Sequence, residues 1–144
     1  MVKKALIKEV VEQICASLVL KQGKLESGNR LALIILDNAV ELTLKSYASY
    51  HSLLKGSKIT QQAFSSILNI IKDQNKIVSS EEKGIKKYHR IRSELYHGAN
   101  LTAPKDNAID EYVVLAKILL ARLYDFRASK LEWEKMVNDM RRSY

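Results

Sequence analysis

The chain of 144 residues holds one cysteine, one proline, five glycines, one tryptophan and three histidines. Each scarcity excludes something. A single Cys15 has no partner for a disulfide, and it sits in an apolar helical stripe, which fits a reducing, cytoplasmic compartment. Three histidines and one cysteine, none at ligand spacing, do not build a metal site. No serine or cysteine nucleophile stands in a recognisable turn beside a base, so hydrolases of that kind are excluded. The longest apolar run, Leu31 to Leu36, is far too short to span a bilayer. Lys3 and Lys4 are followed by Glu9 and Glu12 rather than by an apolar block, so no secretory leader and no membrane association are expected. No stretch alternates with period two. With so little glycine and proline to interrupt it, the chain is free to form long helices.

What is present is helical periodicity and positive charge. Leu6, Val10, Ile14 and Leu18 recur on one side of an amphipathic helix over about residues 2 to 21. Gln22 to Asn29 breaks it. The glycines there are in the wrong order for a phosphate-binding loop, no strand precedes them, and Asn29 is the expected N-cap of the next helix. From Arg30 to Leu54 the apolar residues cover most of the circumference, leaving a narrow polar stripe of Asp37, Asn38, Glu41 and Lys45. Such a helix is buried on more than one side, either at the centre of a bundle or between a bundle and a second subunit. Glu41 either pairs with Lys45 on an exposed strip or belongs to a stripe in which one carboxylate reaches across to Arg92.

Thr60 is the expected cap of a third helix with Phe64, Ile67, Leu68, Ile71 and Ile77 inward. Ser79 and Glu82 have the spacing of a capping box at the start of a fourth, whose core stripe is Ile85, Tyr88, Ile91 and Leu95. Asn107 opens the last helix, whose pattern continues more weakly beyond residue 127 through Trp133, Val137 and Met140. The expectation is one all-α domain over residues 1 to 144, a compact bundle of four to five helices.

The formal charge is +8, which biases a domain of this size toward polyanionic partners, nucleic acid first. Lys86, Lys87 and Arg90 crowd the fourth helix and are the candidate RNA-binding residues. That helix runs into Arg92-Ser93-Glu94-Leu95-Tyr96-His97-Gly98. Gly98 is a natural C′ residue, which puts His97 at the helix end, open to solvent or ligand. Arg92 lies five residues earlier, roughly 140° around the axis, so the two side chains do not share one face. Tyr96, one turn after Arg92, either packs in the core beside Leu95 or offers its ring to the guanidinium or to a base.

Read together, Ile91-Arg92-x-x-Leu95-Tyr96-His97-Gly98 resembles the signature of the HEPN family, an arginine followed four to six residues later by a histidine. Leu36 to Lys45 looks like that family's second helix. Ser93 stands where the family often has Asn, Asp or His. Ala99 stands where the toxin subgroup modified by a nucleotidyltransferase partner has a tyrosine. The resemblance implies a small helical bundle and RNA cleavage without a metal or other cofactor, with Arg92 and His97 catalytic and Ser93, Tyr96 and Glu41 supporting. It also implies a composite site at the cleft of a homodimer, in a toxin or defence system with an antitoxin or nucleotidyltransferase partner. The other reading it leaves open is a non-catalytic module that binds RNA, nucleotide or a partner protein. The residue inventory suits the chemistry: imidazole moves protons near neutral pH, and guanidinium grips phosphate with two donors.

Overall fold

The computed structural model describes residues 2–23, 25–51, 64–98 and 102–143. These form six helices and no strand: α1 (Val2–Gln22), α2 (Gly28–Tyr50), α3 (Phe64–Asp73), α4 (Ser79–Tyr96), α5 (Asp106–Tyr124) and α6 (Lys130–Ser143). The all-α expectation holds, but the described residues form six helices where four to five are expected. No helix among the described residues is long and apolar enough to cross a membrane.

The extra helix comes from a break in what the periodicity presents as one long C-terminal helix extending past residue 127. Asp125 takes the left-handed conformation, with φ 54°, and ends α5 there, its N–H bonding back to Leu120. Aspartate tolerates this backbone better than most residues. Ser129 and Glu132 then start α6 reciprocally: the Glu132 N–H donates to Ser129 Oγ and the Ser129 N–H donates to Glu132 Oε1, each at 3.1 Å. This capping box is written in the sequence as Ser129-Lys130-Leu131-Glu132. After the break, α6 folds back along α1 with Trp133 and Val137 buried, and Trp133 meets Phe126 edge-on.

The helix stripes fall where periodicity puts them. Leu6, Val10 and Ile14 of α1, Ile67, Leu68 and Ile71 of α3, and Ile85, Tyr88 and Leu95 of α4 are buried, as are Ile109, Tyr112, Val113, Ala116, Leu119, Leu120 and Leu123 of α5. α2 is the axis of the bundle, packed by α1, α3, α4 and α5. Most of its apolar surface is therefore covered within one chain, while Leu31 and Tyr50 remain exposed. Gly28 permits the close approach of α2 to the end of α1, because a Cβ there would lie 2.5 Å from the Leu20 carbonyl oxygen.

Two expected caps differ. α2 begins at Gly28, and the Asn29 amide instead ties the helix start to Pro104 O (2.9 Å) and Asp106 Oδ1 (2.7 Å) ahead of α5. In α4 the carboxylate that caps the helix is Glu81, taking the Val78 N–H at 3.0 Å. Glu82 is drawn off to Lys72 (3.1 Å) and Lys86 (3.7 Å). Thr60 lies outside the described residues.

Candidate functional site

The last turn of α4 ends as the glycine requires. Gly98 has φ 71°, a conformation open to it because it carries no Cβ, and its N–H reaches Leu95 O at 3.3 Å. His97 is the C-cap, its N–H donating to Ser93 O at 3.0 Å, and its side chain is exposed. Ser93 is half-buried beside Arg92.

Arg92 turns the other way, toward α2. Its Nε stands 3.6 Å from Asp37 Oδ2 and one terminal nitrogen donates to Asn38 Oδ1 at 3.4 Å. Nε is buried and makes no hydrogen bond among the described residues, so charge attraction holds it more than a directed bond does. The carboxylate that reaches Arg92 is thus Asp37. Glu41 takes the other role open to it and pairs with Lys45 at 2.7 Å.

Tyr96 is not a core residue: it is 68% exposed. The ring centre lies 5.4 Å from the Arg92 guanidinium carbon and 5.6 Å from the His97 ring, which it meets edge-on. It therefore links two side chains that point to different faces of α4. If RNA bases stack on this ring, Tyr96→Ala is expected to weaken binding of single-stranded RNA by about 1–3 kcal/mol, the scale of one lost base stack, while the melting temperature stays nearly unchanged. Tyr96→Phe should bind as the wild type does. A loss of affinity in the phenylalanine variant, measured by fluorescence anisotropy, would contradict a stacking role.

Behind Arg92 lies a polar cluster that the sequence does not announce. Asp37 is fully buried, and its Oδ1 accepts the Tyr112 hydroxyl at 2.6 Å while its Oδ2 meets His89 Nδ1 at 2.9 Å. A buried carboxylate is tolerable only when so surrounded. Phe64 stacks on the His89 ring with centres 4.3 Å apart. The hydrogen bond to Asp37 outweighs burial and raises the His89 pKa above the ordinary imidazole value. Burial, reinforced by the Asp37 charge, holds the Tyr112 hydroxyl well above the usual phenol range. Asp37, Asn38, His89 and Tyr112 are thus site residues missed by sequence reasoning. The available signal was Asp37, which shares with Asn38, Glu41 and Lys45 the polar stripe of an otherwise apolar helix.

The basic residues lie on the solvent side of α4. Lys86, Lys87 and Arg90 are exposed, and by helical geometry Lys86, Arg90 and His97 fall within roughly 40° of one another. Glu82 faces Lys86 at 3.7 Å and Glu94 faces Arg90 at 4.0 Å, so these cations are only loosely held. Among the described residues no three His, Cys, Asp or Glu side chains gather closely enough to hold a metal ion.

Comparison with known proteins adds nothing to this geometry. No family model matches the chain, and no curated protein or solved structure is significantly similar to it.

Proposed function

We propose that the protein is an endoribonuclease of the HEPN type that cleaves RNA without a metal, acting as a homodimer and serving as a toxin or defence effector. The observation that carries this reading is the end of α4. There a guanidinium braced by Asp37 and Asn38, an exposed tyrosine ring and an exposed imidazole stand in sequence beside loosely paired cations.

The reaction begins with RNA settling on the Lys86, Lys87 and Arg90 face through its phosphates. Arg92 takes the non-bridging oxygens of one phosphate, and Tyr96 offers a face for the neighbouring base. The 2′-oxygen of the preceding ribose attacks phosphorus as His97 removes its proton. Arg92 stabilises the charge that gathers on the phosphorane, and the 5′-oxygen departs with a proton. The products are a 2′,3′-cyclic phosphate and a 5′-hydroxyl. In the dimer two copies of the motif would face one basic cleft, and an antitoxin or nucleotidyltransferase partner would restrain it. Light scattering at micromolar concentration should give twice the chain mass; an active monomer would contradict the dimer.

Incubation of the purified protein with total RNA in EDTA tests the activity. The wild type should leave cyclic-phosphate ends and an Arg92→Ala/His97→Ala double variant should leave the RNA intact. Equal cleavage by both, or cleavage that EDTA removes and magnesium restores, would overturn the reading. The second reading, a non-catalytic module that binds RNA, nucleotide or a partner protein, draws on the partial burial of Arg92 and its engagement with α2. It predicts bound RNA recovered uncut.

A further inference from the structure

The proposed reaction needs an acid as well as a base, and the chain presents a second imidazole next to Arg92. His89 and Arg92 stand about 4.5 Å apart along α4 and roughly 60° apart around it, whereas His97 is roughly 140° from Arg92. His89 and Arg92 also share a single anchor, Asp37 Oδ2, at 2.9 and 3.6 Å. Both remain partly open to solvent, with side chains 27% and 23% exposed, although Asp37 between them is wholly buried. Of the two imidazoles, His89 is the one that shares the anchor of Arg92, while His97 stands beyond Tyr96.

A carboxylate on Nδ1 fixes the ring orientation and, in the protonated imidazole, leaves the Nε2–H as the free donor. Phe64 presses on one face of the ring and limits its rotation. We propose that His89 is the general acid of the cleavage, protonating the departing 5′-oxygen, and that Asp37 is the residue that positions it. This rests on the reading of the protein as a ribonuclease. As the bond from the 2′-oxygen to phosphorus forms, the hydroxyl proton passes to His97. As the bond from phosphorus to the 5′-oxygen breaks, that oxygen takes the Nε2 proton of His89. No electrons are exchanged with any other reagent, and proton exchange with water returns both histidines to their starting states.

Among the described residues, the charged and titratable groups facing His89 are Asp37 and Glu41 from α2, Arg92 from its own helix, and Tyr112 of α5 through Asp37; α3 contributes the uncharged Phe64. The hydrogen bond to Asp37 outweighs burial and the opposing Arg92 charge, so His89 keeps its proton to higher pH than a free imidazole. That is the state an acid needs before the step. Base and acid then come from one chain, so each copy in the dimer carries its own acid–base pair beside Arg92.

A substrate with sulfur in place of the 5′-bridging oxygen tests this, because a thiolate leaves without a proton. On ordinary RNA, His89→Gln should cut at least about a hundredfold more slowly than wild type, the scale of a lost catalytic acid. On the 5′-thio substrate it should cut as fast as wild type, while Arg92→Ala and His97→Ala stay slow on both. Equal impairment of His89→Gln on the two substrates, or no impairment on either, would overturn the proposal. The wild type supplies a reading that needs no variant: the fall in rate at alkaline pH should vanish on the 5′-thio substrate, and its persistence would also overturn the proposal. A wild type that cuts neither substrate removes the ribonuclease reading, and this inference with it. A wild type that cuts both, with His89→Gln intact, removes the role of His89 alone.

Discussion

Arg92→Ala and His97→Ala should each slow RNA cleavage by at least about a hundredfold, the usual scale for removing a charge-stabilising donor or a proton-transfer group. The two losses should differ in kind. In the proposed mechanism the guanidinium stabilises charge that grows in the transition state, so its removal should act on kcat at every pH. A lysine there keeps the charge but not the planar fork, and should restore only part of the rate. In the same mechanism His97 transfers a proton, so its removal should also erase one limb of the pH–rate profile. Neither change should unfold the protein, because His97 is exposed and Arg92 lies at the edge of the bundle rather than in its core. Charge reversal at Lys86, Lys87 or Arg90 should behave otherwise, weakening binding and flattening its salt dependence while leaving the chemical step alone. Variants of Arg92 and His97 that cut at wild-type rate, checked by single-turnover kinetics, would detach the motif from catalysis.

Asp37→Ala is expected to be the most destabilising single change near the site, at about 3 kcal/mol, because removing one member of a buried charge cluster strands the others. That is a large share of the roughly 5–15 kcal/mol by which domains of this kind are stable. The Tyr112 hydroxyl, on a residue with no exposed surface, would lose its acceptor. His89 and Arg92 would lose their common anchor, although both can still reach water. Asp37→Asn keeps an acceptor for Tyr112 and should cost less stability than alanine, while still removing the charge that holds Arg92. Urea denaturation measures both. A midpoint for Asp37→Ala within experimental error of wild type would mean that the cluster does not support the fold.

The cluster also marks the limit of what sequence shows here. The stripes of α1, α4 and α5 were legible because each depends on spacing within one helix. The position of Gly98, and with it the exposure of His97, was legible because a local backbone rule decides it. Asp37 was visible only as part of a polar stripe with Asn38, Glu41 and Lys45. Its partners lie 52 and 75 residues away on α4 and α5, and no local pattern encodes such a meeting. For the same reason an isolated His89 offered nothing to read. The all-round apolar surface of α2 could have meant a bundle centre or a subunit contact; packing by four other helices places α2 at the bundle centre, with Leu31 and Tyr50 still exposed. Tyr96 illustrates a different failure. Its neighbour Leu95 is buried, but adjacent residues on a helix point about 100° apart, so adjacency favoured the wrong face. At Ser129 and Glu132 the capping signal was present, and a continuing apolar stripe across the break concealed it.

The most direct test of the account is an RNA oligonucleotide with one known cleavage position, carrying a single 2′-deoxyribose immediately 5′ of the cleaved phosphate and incubated with the wild-type protein in EDTA. The account predicts that scission at that position disappears while binding persists, and that the unmodified strand is cut there to a 2′,3′-cyclic phosphate and a 5′-hydroxyl. Cleavage of the substituted strand at the same position would contradict attack by the 2′-hydroxyl, and with it the roles assigned to Arg92 and His97.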